Sequence, residues 1–277
     1  MIYRPLQFTF YATALTTVVL LYYAWPGNRV KGLERIIQLL VEPLRRRFPA
    51  RHVDAVCALG YAGILQFCFF VVLALAFDPA ALDRRSLLYC DPVLALLGII
   101  LGIGEMGLST LLGFAAIIII DTIRKKSSTM PRAVSQRAVA GGTDWSTTAR
   151  GGWMQYYIKA MTILPRPIGV ASVLLYVFFE EGVFRGVILG SLAPFGSAPA
   201  LAISVVLFML VQTFHMPGWR TAMFPVIGAL VLGIVHGALF LAVPKIMPLA
   251  LAHASFFFSA IWSIRNSDAA HRMTTFG

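Results

Sequence analysis

Ile168-Gly-Val-Ala-Ser-Val-Leu-Leu-Tyr-Val-Phe-Phe-Glu180-Glu181-Gly-Val-Phe-Arg185-Gly-Val-Ile-Leu-Gly-Ser-Leu192 is an apolar run interrupted by three ionisable side chains. Each such group costs roughly 2.5–3.5 kcal/mol at the centre of a membrane helix, so the run implies chemistry or transport at membrane depth. Glu181 and Arg185 are four residues apart and stack on one helical face, with the acid on the favourable N-terminal side. Glu180 projects about 100° away around the helix, so it does not share that pair equally. One carboxylate is then neutralised, and the other is left to act as a base.

The rest of the chain agrees with a membrane setting. Hydrophobic residues make up 58% of the 277 positions and charged residues 13%, with a mean hydropathy of +0.79. Soluble domains carry about 25% charged residues, so this composition is that of an integral membrane protein. A formal net charge of +11 would point to nucleic acid in a soluble chain. Here the basic residues fall between apolar spans and are read as topology, with no nucleic-acid partner. Cys57, Cys68 and Cys90 match no metal or redox spacing and are read as unpaired. The first apolar stretch runs into Pro26-Gly-Asn-Arg29 with no small-residue cleavage site, which is expected of a retained span.

About 20 apolar residues cross the ~30 Å hydrocarbon core. On that rule about seven spans are expected, at 7–25, 54–77, 92–120, 168–190, 199–215, 222–242 and 246–264. The predicted fold is all-α, a polytopic helical bundle forming a single membrane domain over 1–277, without an internal repeat. The third span is long enough to tilt or to break around Gly102, Gly104 and Gly107. Residues 29–52 read as a basic amphipathic helix on the inner leaflet, whose plainest role is a topological anchor. Residues 125–152, rich in Ser, Thr, Gly and Arg, read as a flexible loop. Lys and Arg on the two sides number 18 against four, with Arg185 inside a span. The positive-inside rule then places the N-terminus outside and the C-terminus in the cytoplasm.

Three histidines fall at or near membrane depth in the second half: His215, His236 and His253. Polar groups there point into the bundle, so Glu180, His215 and His253 can converge from three spans. A carboxylate that activates water, with imidazoles to orient it or to stabilise an oxyanion, makes a peptidase without a covalent intermediate. The residues alone leave other readings open: a buried ion pair that fixes helix position, an ion path, or a metal held by acids and histidines. Against other protease chemistries, no H-E-x-x-H or G-x-S-x-G motif is present. Gly102-Ile-Gly-Glu105 carries Glu where intramembrane aspartyl proteases carry Asp, and Glu105 is read as a buried structural carboxylate. His236 is read as a snorkelling or satisfied helix residue.

Taken in order, these residues resemble the CAAX prenyl protease and bacteriocin-processing (CPBP or Abi) family of glutamate-dependent intramembrane endopeptidases. The first family element, E-E-x-x-x-R, is complete in Glu180, Glu181 and Arg185. The second is Val211-Gln-Thr-Phe-His215, with Val in place of the aromatic residue, and Phe224–Gly233 looks like the glycine-spaced helix. The last is His253-Ala-Ser-Phe-Phe257, with Phe in place of Asn. The resemblance covers about 168–260. It implies that Glu180 is the water-activating base, with Glu181 and Arg185 as its support. His215 would join Glu180 at the water and His253 would serve the oxyanion. It implies no cofactor and no metal, and a membrane-embedded or lipidated protein or peptide as substrate within the bilayer. Phe257 cannot donate a hydrogen bond, so either another group such as Gln212 serves or the chain is inactive. The alternatives are thus a membrane scaffold or immunity protein of the same fold, or an ion-coupled transporter, which the lack of an inverted repeat disfavours.

Orientation is testable from the sequence alone. With the three native cysteines replaced, a single cysteine at Ser135 is expected to stay unlabelled by an impermeant maleimide in intact cells. It should react after permeabilisation. Ready labelling of intact cells would reverse the topology.

Overall fold

The computed structural model describes residues 3–24, 35–39, 42–43, 46, 48–127, 161, 164, 166–214, 216 and 218–275. Among these the regular structure is helical throughout, with no strand. The helices are α1 (Tyr3–Ala24), α2 (Ala50–Phe77), the short α3 (Arg84–Leu88), α4 (Pro92–Ser127), α5 (Arg166–Glu181), α6 (Ser197–Val211), α7 (Trp219–Ala242) and α8 (Ile246–Thr275). Six stretches, Pro5–Ala24, His52–Phe77, Pro92–Ile123, Pro167–Phe195, Thr221–Ala242 and Ile246–Ser263, are long and apolar enough to cross a bilayer. The chain is an integral, multi-pass membrane protein.

The expected fifth span is where the count differs. α6 has 15 residues, or about 22 Å at the helical rise, short of a ~30 Å core. Gly196 sets its start with φ +150°, a conformation that side chains rarely adopt. A Cβ there would also lie 3.1 Å from Pro199 Cγ. At the other end, helical bonding gives way to turns at 212–214. Six helices long enough to cross and the shorter α6 therefore stand where seven spans are expected.

The bundle has an inside and an outside. In the crossing stretches of α1, α2 and α4, 17–24% of residues are buried within the protein, against 50–56% for those of α5, α7 and α8. The inner three helices carry the motifs, and the outer three wrap them. α2 packs on α5, α1 on α6, and α4 along both α7 and α8. α1 is joined to α2 by Gln66, whose Nε2 donates to Tyr23 Oη at 2.9 Å, and by Tyr22, whose ring stacks on Phe69 at 3.7 Å.

The glycines of α4 do not break it. The helix is continuous for 36 residues, about 54 Å and longer than the hydrocarbon core is thick. Gly98 and Gly102, four apart on one face, lie against the carbonyls of Pro248 and Ala252 in α8, where any Cβ would collide with backbone. Gly104 and Gly107 face open space. Helices in lipid associate through close packing of small residues rather than through hydrophobic exclusion, so the glycine pair is a seam and not a hinge.

Two other expectations concern the loops. Of the basic segment 29–52, residues 35–39 are helical, and Ile37 is buried against Val53 at the start of α2. The first residues of 125–152 are the end of α4, and 128–152 lie outside the described residues.

The seam predicts an asymmetry between neighbouring glycines. Gly102→Val is expected to cost about 1–3 kcal/mol by overpacking, read as a lower unfolding temperature in detergent, while Gly104→Ala stays within about 0.5 kcal/mol of wild type. Equal behaviour of the two would refute a seam at Gly102.

Candidate active site

α5 delivers the acidic pair at its end, and the chain then widens into a π-helical segment, Gly182–Leu189, in which every residue is buried. The Gly190 N–H donates to the Arg185 carbonyl five residues back. Two local features accompany the wider turn. Gly182 lies flush against the Phe70 ring, 2.8 Å from where a Cβ would sit. Ser204 of α6 donates its hydroxyl to the Phe184 carbonyl at 2.9 Å. Such π segments occur often at functional sites, and this one carries Arg185.

Glu181 is the centre of the cluster. Its Oε2 lies 3.2 Å from Arg185 Nε, and both side chains are fully buried. Its Oε1 receives His253 Nδ1 at 2.8 Å from α8 and lies 3.1 Å from His236 Nδ1 of α7. The His253 contact is an aligned hydrogen bond. The Arg185 Nε and His236 Nδ1 contacts are ion-pair distances without that alignment. Arg185 is held further by Nη2, which donates to the Leu232 carbonyl at 3.0 Å, and by the Phe208 ring, 4.5 Å beneath its Cζ. The opposite face of His236 is also occupied: Nε2 is hydrogen-bonded to Glu105 Oε2 of α4 at 3.2 Å.

Glu180 is placed differently. Its closest ionic partner is His253 Nε2, at 3.9 Å from Oε2, beyond hydrogen-bond range. It lines a cavity with about 30 Å³ open to water-sized molecules, together with Gln212 and His253. The remaining wall is apolar and includes Phe208, Phe224, Phe256 and Phe257. That space suffices for one water, which needs at least 10–15 Å³ and polar partners. His253 thus bridges the two acids, Nδ1 on Glu181 and Nε2 toward Glu180. The Phe257 ring stacks on it, centroids 5.0 Å apart and planes 22° apart.

Of the residues singled out in the sequence, Glu180, Glu181, Arg185 and His253 come together here, and His215 lies outside the described residues. Of the two readings of His236, the structure excludes snorkelling and leaves the partnered helix residue: it is fully buried, between two carboxylates from other helices. Glu105 is the buried structural carboxylate expected, but its partner is a site histidine rather than a generic packing contact. The signal available for both was the one that exposed Glu180: an ionisable group at mid-span requires a partner inside the bundle.

Residues 162–258 match the family described as Type II CAAX prenyl endopeptidase Rce1-like. This agrees with the resemblance drawn from the ordered motifs, over the part of the chain that carries α5 to α8. No curated protein and no solved structure matches the chain.

The geometry predicts unequal stability costs for the two acids. Glu181→Gln leaves Arg185 buried without its countercharge, which costs about 3–5 kcal/mol. Glu180→Gln changes a carboxyl that has no ion pair in hydrogen-bond range among the described residues and is expected to cost under about 1 kcal/mol. Reversible unfolding of both variants in the same micelle measures the difference. Equal losses would show that the roles are wrongly divided.

Proposed function

We propose that the chain is a glutamate-dependent intramembrane endopeptidase. The observation that carries the reading is the unequal setting of the adjacent acids: Glu181 is committed to Arg185 and two histidines, while Glu180 faces the cavity and, among the described residues, has no ion pair in hydrogen-bond range. In this reaction Glu180 takes a proton from water as the oxygen attacks the scissile carbonyl carbon. The tetrahedral oxyanion is met by His253, backed by Glu181, and by the Gln212 amide across the cavity. As the carbon–nitrogen bond breaks, Glu180 returns its proton to the departing amine. His215, which follows α6 in the sequence, is assigned as the further ligand of the attacking water. Arg185 pairs with Glu181 at 3.2 Å and so fixes the polarity of the whole group. Preorganised donors of this kind are worth about 10²–10³ in rate each.

The substrate class follows from the wall and from the matched family. A cavity with three polar residues and an aromatic lining suits an apolar, membrane-associated chain, and the matched family is described as a CAAX prenyl endopeptidase. The proposed substrate is a membrane-associated or lipidated protein cut near a terminus. The cytoplasmic setting of the loop before α5 and of the C-terminus belongs to this proposal, and it takes the short α6 as a crossing element beside the six longer ones. A second reading is favoured by Phe257: its stacking on His253 fills the place of a polar donor with a ring, as in a scaffold of the same fold without catalysis.

Terminal-peptide mass spectrometry on membranes with wild type, Glu180→Gln or no protein separates the two. New termini are expected with wild type alone, and activity of the purified protein should survive dialysis against a strong chelator. Equal peptide sets in all three membranes would favour the scaffold. Stoichiometric zinc, with activity lost on stripping and restored on adding zinc, would make Glu180 a metal ligand.

A further inference from the structure

Glu105 is the one ionisable residue of α4 between Pro92 and Asp121, it lies outside the family-matched segment, and the mechanism above does not use it. It is 3% exposed, so it sits where a carboxylate is costly without a partner. Its partner is specific. Glu105 Oε2 is 3.2 Å from His236 Nε2, and the other nitrogen of the same ring is 3.1 Å from Glu181 Oε1. The ring has no exposed surface. Among the described residues, Arg185, on the far oxygen of Glu181, and His253, ring to ring at 6.1 Å, are the other charged and titratable groups around it.

Hydrogen-bond accounting makes this sandwich informative. A neutral imidazole offers one N–H and one lone pair, so between two carboxylates one contact would set lone pair against lone pair. One additional proton in the Glu105–His236–Glu181 group removes that conflict. With the proton on the ring, Glu105, Glu181, Arg185 and His236 sum to zero charge, and Glu180 is left as the uncompensated acid of the site. Without Glu105 the ring has neither a fixed acceptor at Nε2 nor the second negative charge that balances it. The effect does not stop at His236. Both histidines present Nδ1 to the same oxygen of Glu181, so movement of one ring is felt by the other, and His253 is the ring that faces Glu180.

We propose that Glu105 is a positioning residue of the active site. It accepts the Nε2–H of His236, fixes that ring's orientation and proton content, and through Glu181 Oε1 sets the direction in which His253 faces Glu180. The catalytic set therefore requires a helix from the first half of the chain as well as α5 to α8. This deepens the peptidase reading and rests on it for its kinetic arm.

The experiment has two arms on the full chain. In the kinetic arm Glu105→Gln, which keeps an acceptor for Nε2–H but loses the charge, is expected to lower kcat roughly ten- to a hundred-fold, the usual loss for an outer partner of a site histidine. KM should stay within about two-fold, and the pH–rate profile should change shape. A folded Glu105→Gln protein with unaltered kcat and profile would overturn the proposal. The second arm is independent of cleavage. Glu105→Gln, Glu181→Gln and the double variant are compared by thermal unfolding, in the wild-type and His236→Asn backgrounds. Non-additive effects that become additive without His236 are expected, because the two acids touch opposite nitrogens of one ring. Additivity in the wild-type background would overturn it. Absence of any cleavage by wild type would count against the peptidase reading, and the unfolding cycle would still decide the coupling.

Discussion

The buried cluster of charged groups and histidines is arranged around one carboxylate, that of Glu181. A lone charge in hydrocarbon is too costly to keep, and the i, i+4 arginine relieves that cost within the same helix and the following π turn. Because the compensation is local, α5 can carry its charge before any other helix has docked. Only one oxygen is consumed in this way. The second is free to order α7 and α8, which bring His236 and His253 to it. The register of three helices is thereby tied to one oxygen atom, and sliding any of them by a turn would strand a buried polar group.

Packing and electrostatics act on the same helices from opposite directions. Lipid tails are as apolar as leucine, so burial of apolar surface does little to hold α4 to the rest. Close backbone approach does it instead, at Gly98 and Gly102 against α8. Glu105 follows Gly102 by three residues, nearly one turn on, so the seam that fixes the depth of α4 also fixes the depth of the carboxylate that reaches His236. The two glycines matter for catalysis only through this geometry: without the seam, the proposed outer carboxylate has no defined place.

What was legible in the sequence was what is local. Glu181 and Arg185 are one turn apart, so their pairing follows from helix geometry, and the helical membrane class follows from composition. What was not legible depends on a second chain segment. Glu105 and His236 are 131 residues apart, and a lone ionisable group at mid-span looks the same whether its partner is another helix or the membrane interface. The glycines of α4 fail for a related reason: an absent side chain in a helix reads equally as a hinge or a seam, and only the facing helix distinguishes Gly102 from Gly104. The length of α6 was overestimated because hydropathy continues to Phe214, while helical bonding stops at Val211.

Phe257 shows how a departure from the family pattern is absorbed. A polar donor one turn beyond His253 would compete for the substrate oxygen and leave the imidazole free to rotate about χ2. A phenyl ring there gives up the donor, but its stacking at 5.0 Å blocks that rotation, adding to the restraint from Glu181 at Nδ1. Aromatic stacking of this kind is worth about 0.5–1.5 kcal/mol, small beside the 10²–10³ in rate that one oxyanion donor supplies. Stacking therefore does not replace the donor energetically; some other group must, or the chain does not catalyse. Among the described residues, Gln212 is the remaining polar one on the cavity wall besides Glu180 and His253, and its carboxamide has two N–H donors. In the peptidase reading the donor has moved from the helix that carries His253 to Gln212, the residue that caps α6 and lines the cavity.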